Sequence, residues 1–213
     1  MLNNIFNPDN FVFRPMGRLV DVVVLSVMWF VTSIVLVPFG PSTAALYDVM
    51  AKCMIKGEQG PYGRYIQTMK ENFKTGCPAG LIVLTFNFYL WLLRSLLYTR
   101  AVEGGGEMFY VLYVATWVLL VVVNGILAYV LPVLSRFEFR LGGLFATCAR
   151  LAIAHLPTTL LLGLATTLCI LLCATWWVAL LFIPYMWAKL ACQLLERVFQ
   201  PYMEAREEEP EAD

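Results

Sequence analysis

The feature that most constrains this chain is its set of long apolar blocks. A helix needs about 20 residues to cross the roughly 30 Å hydrocarbon core of a bilayer. Apolar residues make up 60% of the 213 residues and charged residues 14%, against about 45–50% and about 25% in soluble domains. The sequence therefore predicts an all-α integral membrane protein, with residues 1–213 as a single membrane domain. The four blocks are Leu19–Val37, Ala79–Leu93, Met108–Leu131 and Leu156–Ala188.

The number of spans depends on the last block. Leu156–Ala188 is uncharged and too long for one ordinary helix. Two spans, near Pro157–Cys173 and Thr175–Leu195, give five transmembrane helices in all. A single tilted or kinked helix gives four.

The positions of Lys and Arg favour five spans. With five, eleven of the fifteen Lys and Arg residues share one side, and with four the division is eight against seven. Because cytoplasmic loops are enriched in Lys and Arg, we expect the N-terminus outside and the C-terminus in the cytoplasm.

Between the first two spans, residues 41–76 show helical periodicity. Ser42 and Gly57 are suitable first and last residues of one helix, and Gly76 and Pro78 end a second. Each helix has an apolar stripe, and Asp48 lies with the lysines on the opposite face of the first. The pattern predicts a short cytoplasmic helical hairpin. The two stripes are Leu46, Val49, Met50, Cys53 and Met54, and Tyr62, Tyr65, Ile66, Met69 and Phe73.

Two interpretations of the hairpin are open. Its apolar stripes pack on the membrane surface or on the chain's own helices, or they dock a partner protein as a helix in a groove. The segment after the third span carries alternating charge, and it acts either as an interfacial anchor or as an ion-pairing site for the hairpin or a partner. The docking candidates are Leu46, Met50, Tyr65, Met69, Phe73, Arg136, Glu138 and Arg140.

Three polar residues lie within predicted spans. Asp21 lies near the outer end of the first span, one turn from Arg18, where a headgroup-level ion pair or a ligand role is expected. Asn87 and Asn124 lie in the middle of the second and third spans. They are expected to form hydrogen bonds between helices, and a contact with substrate is the alternative.

Several function classes lack the residues that they need. His155 is the only histidine, and no acid, base and nucleophile are clustered, so we expect no enzyme activity, metal or cofactor. The six cysteines form no C-x-x-C pair and are expected to be free thiols. A net charge of zero gives no reason to expect a nucleic acid partner. The acidic residues 204–213 are expected to form a disordered tail.

Three stretches carry a family resemblance. The chain resembles the YesL-type bacterial membrane proteins, a family without an assigned biochemical activity, and the similarity covers most of its length. The resemblance implies a bacterial cytoplasmic membrane location and an accessory role beside carbohydrate importers of the ATP-binding-cassette type. The three stretches are VPFGPSTAALYDVMAK, KGEQGPYGRYIQTMKENFKTG and LPVLSRFEFRLGGLFATCARLAIAHLP.

The expected function is therefore that of an accessory or scaffold subunit. Besides the lipid bilayer, its expected partners are subunits of a carbohydrate importer, which the hairpin and the 132–152 loop would contact, or a second copy of this chain. A self-contained transporter or channel for a small solute is the alternative, and it would need a polar path between the spans.

Overall fold

The computed structural model describes residues 13–104, 106–137 and 141–208, which are helical almost throughout. This confirms the predicted all-α class. A π-helical segment, Met50–Ile55, continues α2, and a 3₁₀ segment, Trp177–Leu181, joins α7 to α8. The α-helices in the described residues are α1 Phe13–Ser33, α2 Phe39–Val49, α3 Pro61–Glu71, α4 Phe73–Val102, α5 Glu107–Arg136, α6 Leu141–Ala154, α7 Leu156–Thr175 and α8 Ile183–Glu208.

In the described part of the chain, three helices are long enough and apolar enough to cross a bilayer. They are α4, α5 and α7. The apolar part of α1, Val20–Ser33, and helix α6 are shorter. The predicted fifth span, Thr175–Leu195, is not a single helix, because α7 ends at Thr175 and α8 begins only at Ile183.

The first helix of the predicted hairpin begins earlier than expected. Helix α2 starts at Phe39, directly after Pro38, and includes Pro41 in its first turn. Proline is tolerated there because the first backbone N–H groups of a helix have no partner within it. The Ser42 hydroxyl therefore does not cap the helix, and it contacts the sulfur of Met69 at 3.8 Å.

The second helix of the hairpin ends earlier than predicted. Two left-handed glycines, Gly57 and Gly60, turn the chain between the π-helical segment and α3. The next break is at Asn72, and α4 begins at Phe73. Pro78 lies inside α4, in a helix whose remaining backbone hydrogen bonds continue on both sides of it.

Helix α2 lies at the centre of the molecule. All residues from Gly40 to Val49 are buried, and the helix packs against α1, α3, α4, α5 and α8. Glycine permits the closest of these contacts: a Cβ atom on Gly40 would lie 2.9 Å from the Cα of Gly80 in α4 and closer still to the carbonyl oxygen of Gly76. Such small-residue contacts let helix backbones approach each other in membranes.

Helix α5 packs in antiparallel orientation between α4 and α7. Tyr98 and Tyr113 pair near one end of α4 and α5, with ring centroids 5.6 Å apart. On the other side, Gly125 of α5 meets α7, where an added Cβ would lie 2.5 Å from the carbonyl oxygen of Thr159. Together α4, α5 and α7 form the part of the bundle whose helices are long enough to cross a membrane.

The end of the chain differs from the predicted tail. Helix α8 runs to Glu208, so residues 204–208 are helical, and only 209–213 lie outside the described residues. The buried Val198 and Phe199 fix the preceding turn. From there α8 continues past Pro201 into Met, Glu, Ala and Arg residues, which have high helix propensity.

Candidate functional site

A buried carboxylate in α2 is the centre of a cluster of charged side chains. Asp48 is fully buried. Its Oδ1 lies 2.9 Å from the Nζ of Lys52, one turn along the same helix. Its Oδ2 accepts hydrogen bonds from Nε of Arg64 and from Oγ1 of Thr68, both in α3, at 2.8 Å. Burial alone would raise the pKa of Asp48, but the bonds from Arg64, Lys52 and Thr68 outweigh it and lower that pKa.

A second carboxylate joins the cluster through Arg136 at the end of α5. The Arg136 Nη2 and Nε atoms lie 2.6 and 3.0 Å from Oε1 of Glu196 in α8. Its Nη1 lies 3.6 Å from Oδ1 of Asp48. The Tyr47 hydroxyl donates to the same Glu196 oxygen at 3.2 Å, and the Arg136 guanidinium lies 5.9 Å from the centre of the Tyr47 ring.

We call these side chains the charge cluster. It ties four helices together, because α2, α3, α5 and α8 each supply at least one charged member. Its three cations and two anions lie close together, so each buried charge has an opposite partner. The cluster consists of Tyr47, Asp48, Lys52, Arg64, Thr68, Arg136 and Glu196.

Most of the docking candidates on the hairpin face inward. Leu46, Met50 and Tyr65 are buried in the core of the chain itself. Met69 is half-buried and packs against that core, whereas Phe73 is 45% exposed. The arrangement matches the first interpretation, in which the stripes pack on the chain's own helices. In this conformation, Leu46, Met50 and Tyr65 cannot contact a partner.

The charged segment after α5 is described only in part. Arg136 forms the predicted type of ion pair with the hairpin, through Asp48. Glu138 and Arg140 lie outside the described residues.

Asp21 lies against the hairpin. The Tyr62 hydroxyl of α3 donates to Oδ1 of Asp21 at 2.6 Å, and the Thr32 and Tyr65 hydroxyls lie 2.8 Å apart further along the same two helices. The middle of α1 and the first turn of α3 are therefore neighbours, and Thr32 near the end of α1 also lies beside α3.

The two mid-span asparagines behave differently. Asn124 forms the predicted bond between helices, donating through Nδ2 to the Thr167 hydroxyl of α7 at 3.1 Å. Asn87 instead donates to the carbonyl oxygen of Val83 within its own helix. Both asparagines lie where two cavities of the bundle meet, and both line each cavity.

The first cavity has a volume of about 310 Å³. Helices α1, α2, α4, α5, α7 and α8 contribute its wall, which is almost entirely apolar and has no charged residue. The second cavity, of about 460 Å³, lies between α4, α5 and α7 and includes Arg94, whose guanidinium is 5.1 Å from the centre of the Trp117 ring.

Of the seven members of the charge cluster, the sequence interpretation named only Arg136 as a candidate. It placed Asp48 with Lys52 on a face other than the apolar stripe, at the i+4 spacing of ion pairs along a helix. Glu196 was missed although it directly follows the mainly apolar stretch Ile183–Leu195 and precedes Val198 and Phe199. An acid among apolar residues on both sides indicates a buried partner, and this was the available signal.

Clustered acidic side chains can also bind a metal ion. In the ranges that the structure describes, no three His, Cys, Asp or Glu residues are grouped as metal ligands would be.

The comparison with known families has one result. A model for a protein of unknown function, DUF624, matches residues 22–94. This family is of the YesL type, and the match covers about a third of the chain. No curated protein and no solved structure matches the chain.

The matched region contains the hairpin and part of the charge cluster. It extends from α1 through most of α4 and contains the hairpin with Asp48, Arg64 and Thr68. Arg136 and Glu196, which complete the charge cluster, lie outside it.

Proposed function

We propose that this protein is a non-catalytic accessory subunit of the membrane that binds the permease of a carbohydrate importer of the ATP-binding-cassette type. The importer as partner comes from the YesL-type resemblance. The observation that carries the binding role is a small apolar surface left exposed by the hairpin.

This surface, the α3 surface, consists of Tyr62 and Ile66 of α3 and of Phe73, the first residue of α4. Their side chains are 37%, 44% and 45% exposed, although the rest of the hairpin stripe is buried or half-buried. Exposed Gln67, Lys70 and Glu71 surround them. An apolar centre with a polar rim is typical of protein interfaces, where a few large side chains supply most of the binding energy.

A topology with both termini on the cytoplasmic side supports this proposal. The contact with Tyr62 puts Asp21, near the outer end of the first span in the five-helix topology, beside the hairpin, which this proposal places in the cytoplasm. Of the fifteen Lys and Arg residues, this topology leaves only Arg94 and Arg100 on the outer side. Thirteen against two fits the positive-inside rule better than eleven against four.

In this topology, α4, α5 and α7 are the three full helical spans, and the 3₁₀ segment with the first part of α8 brings the chain back to the cytoplasmic side. The α1–α2 pair enters from the cytoplasmic side and returns to it, with the exposed apolar residues Ile34–Val37 at its tip. Helix α8 begins at middle depth, because the indole N–H of Trp187 donates to the Thr166 hydroxyl at 2.9 Å, next to the Asn124–Thr167 pair. The α3 surface then lies at the cytoplasmic side, where a permease and its ATPase meet.

A photo-crosslinking experiment tests the binding role. The full chain, with a benzophenone amino acid at position 66, is expressed with the carbohydrate importer of the same cell. We expect a crosslink to the permease that is lost when Phe73→Asp is added. Gln67→Asp is the matched control, since it adds the same charge on the hairpin without removing apolar surface. Crosslinks only to lipid, or an unchanged permease crosslink in Phe73→Asp, would refute the proposal.

The alternative is a self-contained transporter or channel. The adjoining cavities that share Asn87 and Asn124 are the observation that favours it. Their walls are mainly apolar, so a hydrated sugar would find few hydrogen-bonding groups there. Sugar uptake by liposomes that contain only this chain would establish the alternative and exclude the accessory role.

A further inference from the structure

The first cavity contains one polar atom whose bonding is incomplete. Asn124 is only 1% exposed, and its amide Nδ2 is held by Thr167. Its Oδ1 has no hydrogen-bonding partner in the protein. A buried acceptor without a partner is energetically unfavourable, so a ligand donor that reaches it gains affinity by relieving that cost.

Other polar side chains of this cavity, two Trp–Thr pairs and the amide of Asn87, already form hydrogen bonds. The indole N–H of Trp29 donates to the Thr43 hydroxyl at 2.9 Å, and that of Trp187 donates to the Thr166 hydroxyl at the same distance. Both hydroxyls in turn donate to backbone carbonyl oxygens one turn earlier in their helices. Among the fully buried side-chain N and O atoms of this wall in the described residues, Asn124 Oδ1 is therefore the one without a hydrogen-bonding partner.

The rest of the wall indicates the chemistry and size of the ligand's apolar part. It is formed by aliphatic, aromatic and thiol side chains, among them Leu46, Val83, Leu127, Ile170 and Ile183. A volume of about 310 Å³ is at the lower end of the range for small-molecule sites. Because this wall has no charged side chain, a charged group inside it would be buried without a counter-charge, which is strongly unfavourable, so the wall favours an uncharged ligand.

We propose that the first cavity is a binding site for an uncharged single-chain amphiphile, whose acyl chain fills the apolar part and whose hydroxyl donates to Asn124 Oδ1. A hydroxyl group suits the site because it donates to an amide oxygen and accepts from an amide N–H, so it satisfies Asn124 in either orientation of the amide. A monoacylglycerol has this chemistry. The binding site is independent of the α3 surface.

Two matched probes test the proposal on the full chain in detergent. They are the monoacylglycerol and the methyl ester of dibromostearic acid, which share the chain and differ in the hydroxyl donors. Bromine quenches nearby indoles, and Trp29 and Trp187 both line the cavity. We expect saturable quenching with an apparent affinity about tenfold higher for the monoacylglycerol, the size of one hydrogen bond to a buried acceptor.

Two variants assign the preference to Asn124. Asn124→Leu is expected to bind both probes equally, because the acceptor is gone and the apolar body of the site remains. Thr167→Val is the matched control: it removes the partner of Nδ2 but keeps Oδ1, and the tenfold preference should persist.

The outcomes separate clearly. Equal affinity of the two probes in the unmodified chain would overturn the proposal, as would no saturable quenching by either probe. This comparison is valid even if Asn124→Leu does not fold. A persistent preference in Asn124→Leu would also overturn it. Tighter binding of the free dibromostearate anion than of the monoacylglycerol would overturn it too, and would point to Arg94 in the second cavity.

Discussion

Replacing Asp48 by asparagine is the most direct test of the charge cluster. The substitution keeps the shape and the Thr68 bond but removes a charge that lies within 2.9 Å of Lys52 and Arg64 and 3.6 Å of Arg136. Removing one partner of a buried ion pair typically costs about 3–5 kcal/mol. The Lys52 and Arg64 side chains are 24% and 28% exposed, so water compensates part of their loss. Arg136, with 6% exposed, keeps only Glu196.

The lower end of that range is therefore expected, about 3 kcal/mol. For a chain of this size, 1 kcal/mol corresponds to roughly 2–4 °C in melting temperature, so Asp48→Asn should lower it by about 6–12 °C. A thiol-reactive fluorescent dye suits the measurement, because Cys53, Cys77, Cys148 and Cys192 are buried in the native fold and react as it opens.

Glu71→Gln is the matched control. It makes the same acid-to-amide change on the hairpin, at an exposed carboxylate that accepts a hydrogen bond from Gln67 at the surface. Exposed pairs contribute at most about 1 kcal/mol, so its melting temperature should fall by no more than about 4 °C. If Asp48→Asn melts within about 2 °C of Glu71→Gln, the charge cluster does not hold the hairpin in place and the reasoning fails.

Three further predictions test other parts of the structure. The pKa of Asp48 is lowered in the folded chain, so its stabilising contribution is present above the ordinary carboxyl pKa of about 3.9 and is lost as the pH falls through the lowered value. The difference in melting temperature between the unmodified chain and Asp48→Asn should therefore shrink as the pH decreases in that range. A difference that grows would contradict this prediction. Gly40→Ala should abolish or strongly destabilise the fold, because its Cβ would collide with the glycines of α4, whereas Gly63→Ala meets nothing within 4 Å and should be harmless by the same dye assay. In a cysteine-free background, a membrane-impermeant thiol reagent applied to intact cells should label Glu103→Cys and not Glu58→Cys, and labelling of the second from outside would invert the proposed topology.

The sequence alone established the solvent and the class of fold. Long uncharged blocks identify helices in lipid, since every backbone polar group must find its partner within the helix there. Helices α5 and α7 appear near their predicted positions, and the bond from Asn124 to a neighbouring helix was predicted. These features depend on residues close together in the chain or on a general rule for the bilayer, so local information is sufficient.

Tertiary structure alone decided which faces of the hairpin are buried. The periodicity showed that Leu46 and Asp48 lie on different faces of α2, and by the usual rule only the apolar face is buried. In the folded chain both are buried, because α2 is surrounded on all sides and Arg136 and Glu196 arrive from helices more than eighty residues away. Charge neutralisation over such sequence separations leaves no periodic signal in the sequence, so only the packed helices could show that this acid belongs inside.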